Sequence, residues 1–246
     1  MREQKLVVTL LLAAALIGCD AADEMHSAPA PQPEIAGDAG LQSASEAVAA
    51  TPTSPATDGD HTVVMLGDSL TAGFGLPVAN ALPARIQDSL DAAGLDVTVV
   101  NAGVSGDTTA GGLARYDWSV ASANPDLLII ALGANDYLSG LDPQRARQNL
   151  AAIIERAQGD GVQVLLASVT PRSSAAADIR AAEFAAIYPE LAERYGVEHF
   201  EGLLEGVRDN PDLLLPDGLH PTAEGVDRIT DRLAPVISEL IGAPHR

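Results

Sequence analysis

From residue 61 onward, short apolar runs alternate with longer segments of helical periodicity, and this alternation limits the possible folds more than any other feature. The apolar runs consist mostly of Val, Ile and Leu, as strands buried on both faces require, and lie at 62–66, 96–100, 126–132, 162–168 and 197–200. The helical patterns lie at 79–93, 109–121, 143–158, 177–195 and 223–241. The repeated order of strand and helix predicts an α/β domain, a three-layer α/β/α flavodoxin-like sandwich around a five-stranded parallel sheet of order 2-1-3-4-5.

The first 18 residues have the pattern of a targeting segment. Arg2 and Lys5 precede an apolar run, from Leu6 to Ile17, that is too short to span a bilayer. The run ends in LIGC, at Cys19, and this tetrapeptide resembles the lipobox of bacterial lipoproteins. The resemblance implies cleavage of residues 1–18 and lipidation of the cysteine. It therefore implies a membrane anchor and a location in a bacterial cell envelope, on the periplasmic or extracytoplasmic side, whereas an ordinary cleaved signal is the alternative.

Residues 20–60 are dominated by Ala, Pro, Ser, Thr, Gly and acidic residues, contain no Lys or Arg and show no hydrophobic periodicity. Such a segment cannot bury enough apolar surface to fold, so we predict that 19–60 form a disordered acidic tether that begins at lipidated Cys19. Residues 61–246 form the predicted globular domain, which is long enough to bury a core without a cofactor. We expect this domain to be a monomer.

Charge and the scarcity of two residue types exclude several classes of function. The net charge of −20 and the pI near 4.3 make nucleic acid an unfavourable partner. Lys5 and Cys19 are the only lysine and the only cysteine, so the processed domain has no P-loop lysine, Schiff base, cysteine nucleophile or thiolate metal site. Because no two histidines have the spacing of helical metal ligands, we predict neither a metal nor a cofactor.

Small and polar residues follow the first three predicted strands. Gly67, Asp68 and Ser69 follow the first strand, NAGVSGD at 101–107 follows the second, and GAND at 133–136 follows the third. Ligands of parallel α/β sheets bind beyond the carboxyl ends of the strands, where the winding direction switches. With the strand order 2-1-3-4-5, these three junctions are neighbours at that position.

A serine that attacks an ester needs a base, a group that orients the base, and hydrogen-bond donors for the oxyanion. The stretch DGLHP at 217–221 places Asp217 three residues before His220, so the carboxylate can hold the imidazole in one tautomer. The candidate donors are the backbone N–H groups of Ser69 and Gly106 and the side-chain amide of Asn135. Glycine at 106 allows the substrate to approach the backbone closely.

Several other polar residues have simpler interpretations. Ser105 is an alternative nucleophile for which no base is placed, and His199 lies in a short strand, where a structural role is more common. Asp68 and Asp136 are expected to bond to turn backbones, and Asp107 or Thr108 to cap the second helix.

The blocks GDSL at 67–70, Gly106, GAND at 133–136 and DGLH at 217–220 resemble, in order, those of the SGNH hydrolase (GDSL esterase/lipase) family. The resemblance is greatest to its bacterial branch of arylesterases, acyl thioesterases and lysophospholipases. It implies that Ser69 is the nucleophile, that Gly106 and Asn135 are oxyanion donors, and that Asp217 and His220 act as a pair. The expected activity is hydrolysis of carboxylic esters, with thioesters and lysophospholipids as further candidate substrates. A carbohydrate O-acetyl esterase and a non-catalytic tethered binding module are the alternatives.

One segment departs from the pattern of that branch. TPRSSAAA, at 170–177, stands where the branch has a loop with paired prolines, Asn and Tyr that lines the acyl pocket. The loss of bulky side chains predicts weak selection for long acyl chains and activity on short or medium acyl and aryl esters. Phe74, Leu76 and Pro77 are the residues predicted to form the remaining pocket wall.

Overall fold

The structure is a computed structural model that describes residues 61–169 and 179–242. The predicted signal segment 1–18, the lipidation site at Cys19, the tether at 20–60 and the divergent loop at 170–177 lie outside these residues. Within them, no helix is both long and apolar enough to cross a membrane.

The predicted sheet is confirmed. Five parallel strands pair in the order β2-β1-β3-β4-β5, and their bounds are β1 His61–Gly67, β2 Val97–Gly103, β3 Leu127–Ala131, β4 Gln163–Ala167 and β5 Glu198–Phe200. The winding direction switches between β1 and its neighbours β2 and β3, so the residues that follow these three strands meet at one edge. Strand β2 runs to Gly103, three residues beyond the predicted end at 100. The polar Asn101 is compatible with the strand because β2 lies at the edge of the sheet and Asn101 is exposed there.

Helices cover both faces of the sheet, again as predicted. Their bounds are α1 Ser69–Ala72, α2 Leu82–Ala92, α3 Thr109–Ala114, α4 Tyr116–Ser119, α5 Ala134–Leu138, α6 Pro143–Gly159, α7 Ile179–Tyr195 and α8 Ala223–Gly242. Short 3-10 turns lie at Val78–Asn80, Ala121–Ala123 and Pro211–Leu213. The short helices α1 and α5 have no predicted counterpart, since four or five residues are too few for a periodic pattern.

The single helix predicted at 109–121 is instead broken into α3, α4 and a 3-10 turn. The break lies at Arg115, whose backbone leaves the helical conformation with φ −100° and ψ 9°. The buried side chain of Arg115 donates to Asp107 Oδ2 at 2.7 Å and to the backbone oxygen of Gly67 at 3.0 Å. These contacts tie the chain to the end of β1, an interaction that no local pattern records.

Two apolar cores lie on opposite faces of the sheet, because successive strand side chains point to opposite sides. Val63 and Met65 of β1 pack with α2 and α8, whereas Val64 and Leu66 pack with α6 and α7. All four side chains are fully buried. The burial on both faces explains why the strands read as continuous apolar runs and makes the sheet a rigid support for the loops at its edge.

Candidate active site

Ser69 is the first residue of α1, which begins directly after β1. The Asp68 side chain caps this helix, since its Oδ1 atom accepts from the Leu70 N–H at 3.0 Å. The turn packs closely on the sheet: a Cβ atom on Gly67 would lie 2.0 Å from Thr71 Oγ1. Glycine at the end of β1 is therefore required for α1 to lie where it does, and α1 fixes the position of Ser69.

His220 connects Ser69 to Asp217 by two short hydrogen bonds. The His220 Nε2 atom lies 2.8 Å from Ser69 Oγ, and the His220 Nδ1 atom lies 2.7 Å from Asp217 Oδ2. The loop that holds the ring is tied back on itself, because the Leu215 N–H donates to the His220 carbonyl at 2.7 Å. Residues 151 positions apart in the chain thus form one hydrogen-bonded chain.

The Asp217 carboxylate determines which nitrogen of His220 has the proton. Partial burial works to raise the pKa of Asp217, but the backbone N–H groups of His220 and Leu219 and the His220 ring outweigh it and lower this pKa to about 2. At neutral pH the carboxylate can only accept, so His220 Nδ1–H donates to it. The lone pair of Nε2 is then left to accept the Ser69 hydroxyl proton.

Gly106 and Asn135 lie at the ends of the neighbouring strands and face the same cavity as Ser69. Gly106 has φ +82°, a left-handed conformation that favours glycine, and nothing lies within 4 Å of where its Cβ atom would be. The Asn135 Nδ2 atom donates to the Asp107 backbone oxygen at 2.9 Å and to Asp68 Oδ2 at 3.3 Å.

Asp68 is 1% exposed and forms no salt bridge among the described residues. Burial raises the pKa of this carboxyl to about 6, against the opposing effects of the Leu70 N–H and of His220. Its role in capping α1 agrees with the expectation for a turn residue. Its high pKa is a consequence of the fold that the sequence did not indicate.

The cavity beside Ser69 has a volume of about 310 Å³. Phe74 lines it, and the Phe74 ring lies over the His220 ring with the ring centroids 4.4 Å apart. The apolar lining residues that sequence reasoning missed come from five separate segments and are Leu70, Leu138, Val169, Leu204, Leu214 and Leu219. Arg208 is a further lining residue that was not predicted. Of these, only Leu70 and Leu219 had a local signal, their positions beside Ser69 in GDSL and beside His220 in DGLH.

The other two predicted pocket residues do not line the cavity. Leu76 is partly buried against the core formed by α2 and α8, and Pro77 is exposed at the start of the 3-10 turn at 78–80. The chain reverses at Gly73 and Gly75, both of which have positive φ, and this turns Leu76 away from the site. The expectation for Leu76 and Pro77 is therefore corrected.

The polar residues with simpler interpretations lie where a structural role would place them. Asp136 accepts from the Thr109 N–H at 2.8 Å and from Thr109 Oγ1 at 2.6 Å, which joins α5 to α3. Thr108 caps α3 through the Gly111 N–H. Ser105 lines the cavity, but His220 bonds to Ser69. The half-buried ring of His199, in β5, has a pKa lowered by desolvation.

Within 61–169 and 179–242, no three His, Cys, Asp or Glu side chains lie close enough to hold a metal ion. The reactive groups of the site are an oxygen nucleophile, an imidazole and a carboxylate. A parallel α/β sheet with this hydrogen-bonded arrangement at its carboxyl edge defines a hydrolase of the serine type.

Comparison with known proteins specifies the family. Residues 65–228 match the model of the GDSL-like lipase/acylhydrolase family, and the chain belongs to this family. It is 37% identical to an arylesterase of Vibrio mimicus over 184 residues, which cover 74% of this chain and 90% of that protein. It is 35% identical to the esterase TesA of Pseudomonas aeruginosa over 182 residues, with the same coverage of 74% and 90%.

A solved structure shows the same fold. The psychrotrophic esterase EstA from Pseudoalteromonas sp., in a structure inhibited by monoethylphosphonate, superimposes with a TM-score of 0.70 at 26% identity. The match covers 75% of this chain and 100% of that one. The three similar proteins are all named as esterases.

Proposed function

We propose that the protein is a serine esterase that hydrolyses carboxylic esters through an acyl-enzyme on Ser69. The observation that carries this proposal is the hydrogen-bonded chain from Ser69 Oγ through His220 to Asp217 at the wall of a cavity. The names of the similar proteins support the same reaction class. No cofactor enters the proposed reaction.

In the proposed mechanism, Ser69 Oγ attacks the carbonyl carbon of the ester while His220 Nε2 takes the hydroxyl proton. The electron pair of the C=O bond moves to the oxygen, where the N–H groups of Ser69 and Gly106 and the Asn135 amide would donate to it. Collapse of this intermediate breaks the bond to the leaving oxygen, which receives the proton from His220. Water then attacks the acyl-enzyme in the same way, with His220 as the base, and this second step releases the acid and restores Ser69.

The proposed substrates are short or medium acyl and aryl esters. A cavity of about 310 Å³ is at the small end of ligand sites in proteins, and its wall is apolar on several sides. Equal or rising kcat/KM from acetyl through to palmitoyl esters would contradict this choice.

Labelling with a fluorophosphonate tests the role of Ser69. The wild type should gain the mass of one phosphonyl group, located on Ser69 by peptide mapping, and lose esterase activity in proportion. Ser69→Ala should not be labelled. The matched control is Ser105→Ala, because Ser105 lines the same cavity without a bonded base. Labelling that persists in Ser69→Ala and is lost in Ser105→Ala would overturn the assignment, and a folded wild type that reacts with no fluorophosphonate would favour the non-catalytic binding module.

A substrate panel separates the two esterase alternatives. Aryl esters, lysophospholipids, thioesters and acetylated sugars should be compared by kcat/KM at one pH. The proposed function predicts the highest value for aryl or short acyl esters. An acetylated sugar as the best substrate would instead identify a carbohydrate O-acetyl esterase.

We also propose that Cys19 is lipidated and anchors the protein to a bacterial membrane. The domain would then lie on the periplasmic or extracytoplasmic side, and we propose that it is a monomer. The support is the sequence alone: the apolar run at 6–17 followed by LIGC. Metabolic labelling with a fatty acid should label the wild type and not Cys19→Ser. After membrane fractionation, the wild type should be in the membrane fraction and the variant should not. Sedimentation of the detergent-free variant should give the mass of one chain.

A further inference from the structure

Arg208 is a cation in the wall of an otherwise largely apolar cavity. It is half-buried and lines the cavity together with Ser69 and His220. Its neighbours in that lining include Leu204, to whose carbonyl the Arg208 N–H donates at 3.0 Å. Among the residues that the structure describes, it is the only Arg or Lys that lines this cavity.

The guanidinium of Arg208 has no salt bridge and no side-chain hydrogen bond within 61–169 and 179–242. The other half-buried or buried arginines that the structure describes are partnered. For example, Arg115 pairs with Asp107 at 2.7 Å, and Arg232 donates to the Gly202 carbonyl at 2.9 Å. A cation that is removed from water without a partner costs free energy. Its position against an apolar wall therefore points to a partner that arrives with the substrate.

The chemistry of that partner follows from the guanidinium itself. Its planar array of N–H donors matches the oxygens of a carboxylate or a phosphate, and the interaction strengthens where water is excluded. The whole chain has a net charge of −20 and repels anions at long range. Arg208 therefore places a positive charge in the cavity of a chain whose net charge is strongly negative.

We propose that Arg208 is a specificity-determining residue that binds a carboxylate or phosphate group on the ester substrate. The inference rests on the proposed esterase function and deepens it by naming the substrate class. The enzyme then prefers an anionic ester to a neutral ester of the same size, and the preference resides in Arg208.

Matched substrate pairs test this proposal. One pair is the mono(nitrophenyl) ester of glutaric acid against nitrophenyl pentanoate, and the other is lauroyl lysophosphatidic acid against monolauroylglycerol. The readout is the ratio of kcat/KM for the anionic and the neutral member, measured for the wild type, Arg208→Gln and Arg208→Lys. The matched control is Arg228→Gln, which removes the same charge from an exposed position of α8 outside the cavity.

Arg208→Gln should lower the ratio by about 10- to 100-fold in at least one pair, as expected for the loss of a hydrogen bond to a charged group. Arg208→Lys should give an intermediate ratio, because lysine keeps the positive charge but lacks the planar array of N–H donors. Loss in the first pair alone identifies a carboxylate, and loss in the second alone identifies a phosphate. Arg228→Gln should keep the wild-type ratio.

Two results would overturn the inference in distinguishable ways. An unchanged ratio in Arg208→Gln, or an equal fall in Arg228→Gln, with neutral esters still hydrolysed, removes the role of Arg208 and leaves the esterase intact. A wild type that hydrolyses no member of either pair, and is not labelled by a fluorophosphonate, overturns the proposed function and this inference together.

Discussion

Two aspartates lie on either side of the Ser69–His220 pair, and their carboxyl groups have opposite pKa shifts. The Asp217 pKa is lowered to about 2 by donors that outweigh its partial burial, and the Asp68 pKa is raised to about 6 by desolvation. Asp217 is therefore ionised throughout the pH range in which an esterase would work, whereas Asp68 changes its charge within it. The two residues call for different experiments.

Asp217→Asn should lower kcat by about 10³- to 10⁴-fold with little change in KM, because an amide would allow the His220 ring to adopt the wrong tautomer. The Asn side chain can still accept from the backbone N–H groups of Leu219 and His220, so the thermal midpoint should change little. Asp212→Asn, an exposed acid in the 3-10 turn at 211–213, is the control. Wild-type kcat in Asp217→Asn would show that the ring needs no carboxylate.

Asp68 should make the domain less stable as pH rises. Its pKa is about 6 in the folded protein and 3.8 as the reference value, so the folded state binds more protons between these values and stability is lost as pH rises through 6. The free energy of unfolding of the wild type, relative to that of Asp68→Asn, should fall by about 3 kcal/mol from acidic pH to neutrality. Urea unfolding at several pH values measures it, and a difference that does not change with pH would refute the shift.

At the scale of elements, the site depends on how closely the short helix α1 packs against the ends of β1 and β2. A Cβ atom on Gly103 would lie 2.3 Å from the Ala72 backbone nitrogen. Backbone cannot rotate away as a side chain can, so α1 itself would have to move. The first residue of α1 is Ser69, and a packing change here therefore reaches the nucleophile.

Gly103→Ala should lower the free energy of unfolding by about 1 to 3 kcal/mol and reduce kcat as well. Gly159→Ala is the matched control, because nothing lies within 4 Å of a Cβ atom at that position of α6. The control should be as stable as the wild type or more stable by up to about 1 kcal/mol. Equal stability of the two variants would mean that the contact between α1 and β2 is not tight.

At the scale of the whole molecule, the dominant electrostatic feature is the negative charge: residues 61–246 contain 25 acidic and 12 basic residues, a net charge of −13 out of the −20 of the chain. Like charges destabilise the compact state, and salt screens them over a Debye length of about 10 Å at 0.1 M. The opposing effect is the weakening of surface ion pairs such as Arg85–Asp227, at 2.7 Å, but exposed pairs contribute little to stability.

Sodium chloride should therefore raise the thermal midpoint. Between low salt and about 0.3 M we expect an increase of about 2 to 4 °C, which corresponds to about 1 kcal/mol for a domain of this size. Potassium chloride at equal ionic strength should have the same effect, since the cause is screening. A midpoint that falls with salt would show that ion pairs outweigh the repulsion.

Residue patterns alone predict the sheet, its strand order and the residues of the Ser69–His220–Asp217 chain. Continuous apolar strands that alternate with helices allow few topologies, and short motifs carry the reactive groups at strand ends. Three features arise only when the chain folds: the helix predicted at 109–121 breaks at Arg115, Leu76 packs into a core, and Asp68 is desolvated. The position of Arg208 in the cavity wall is likewise a result of the tertiary structure. These outcomes depend on contacts between segments far apart in the chain, and such contacts leave no periodic signal in the residues that make them.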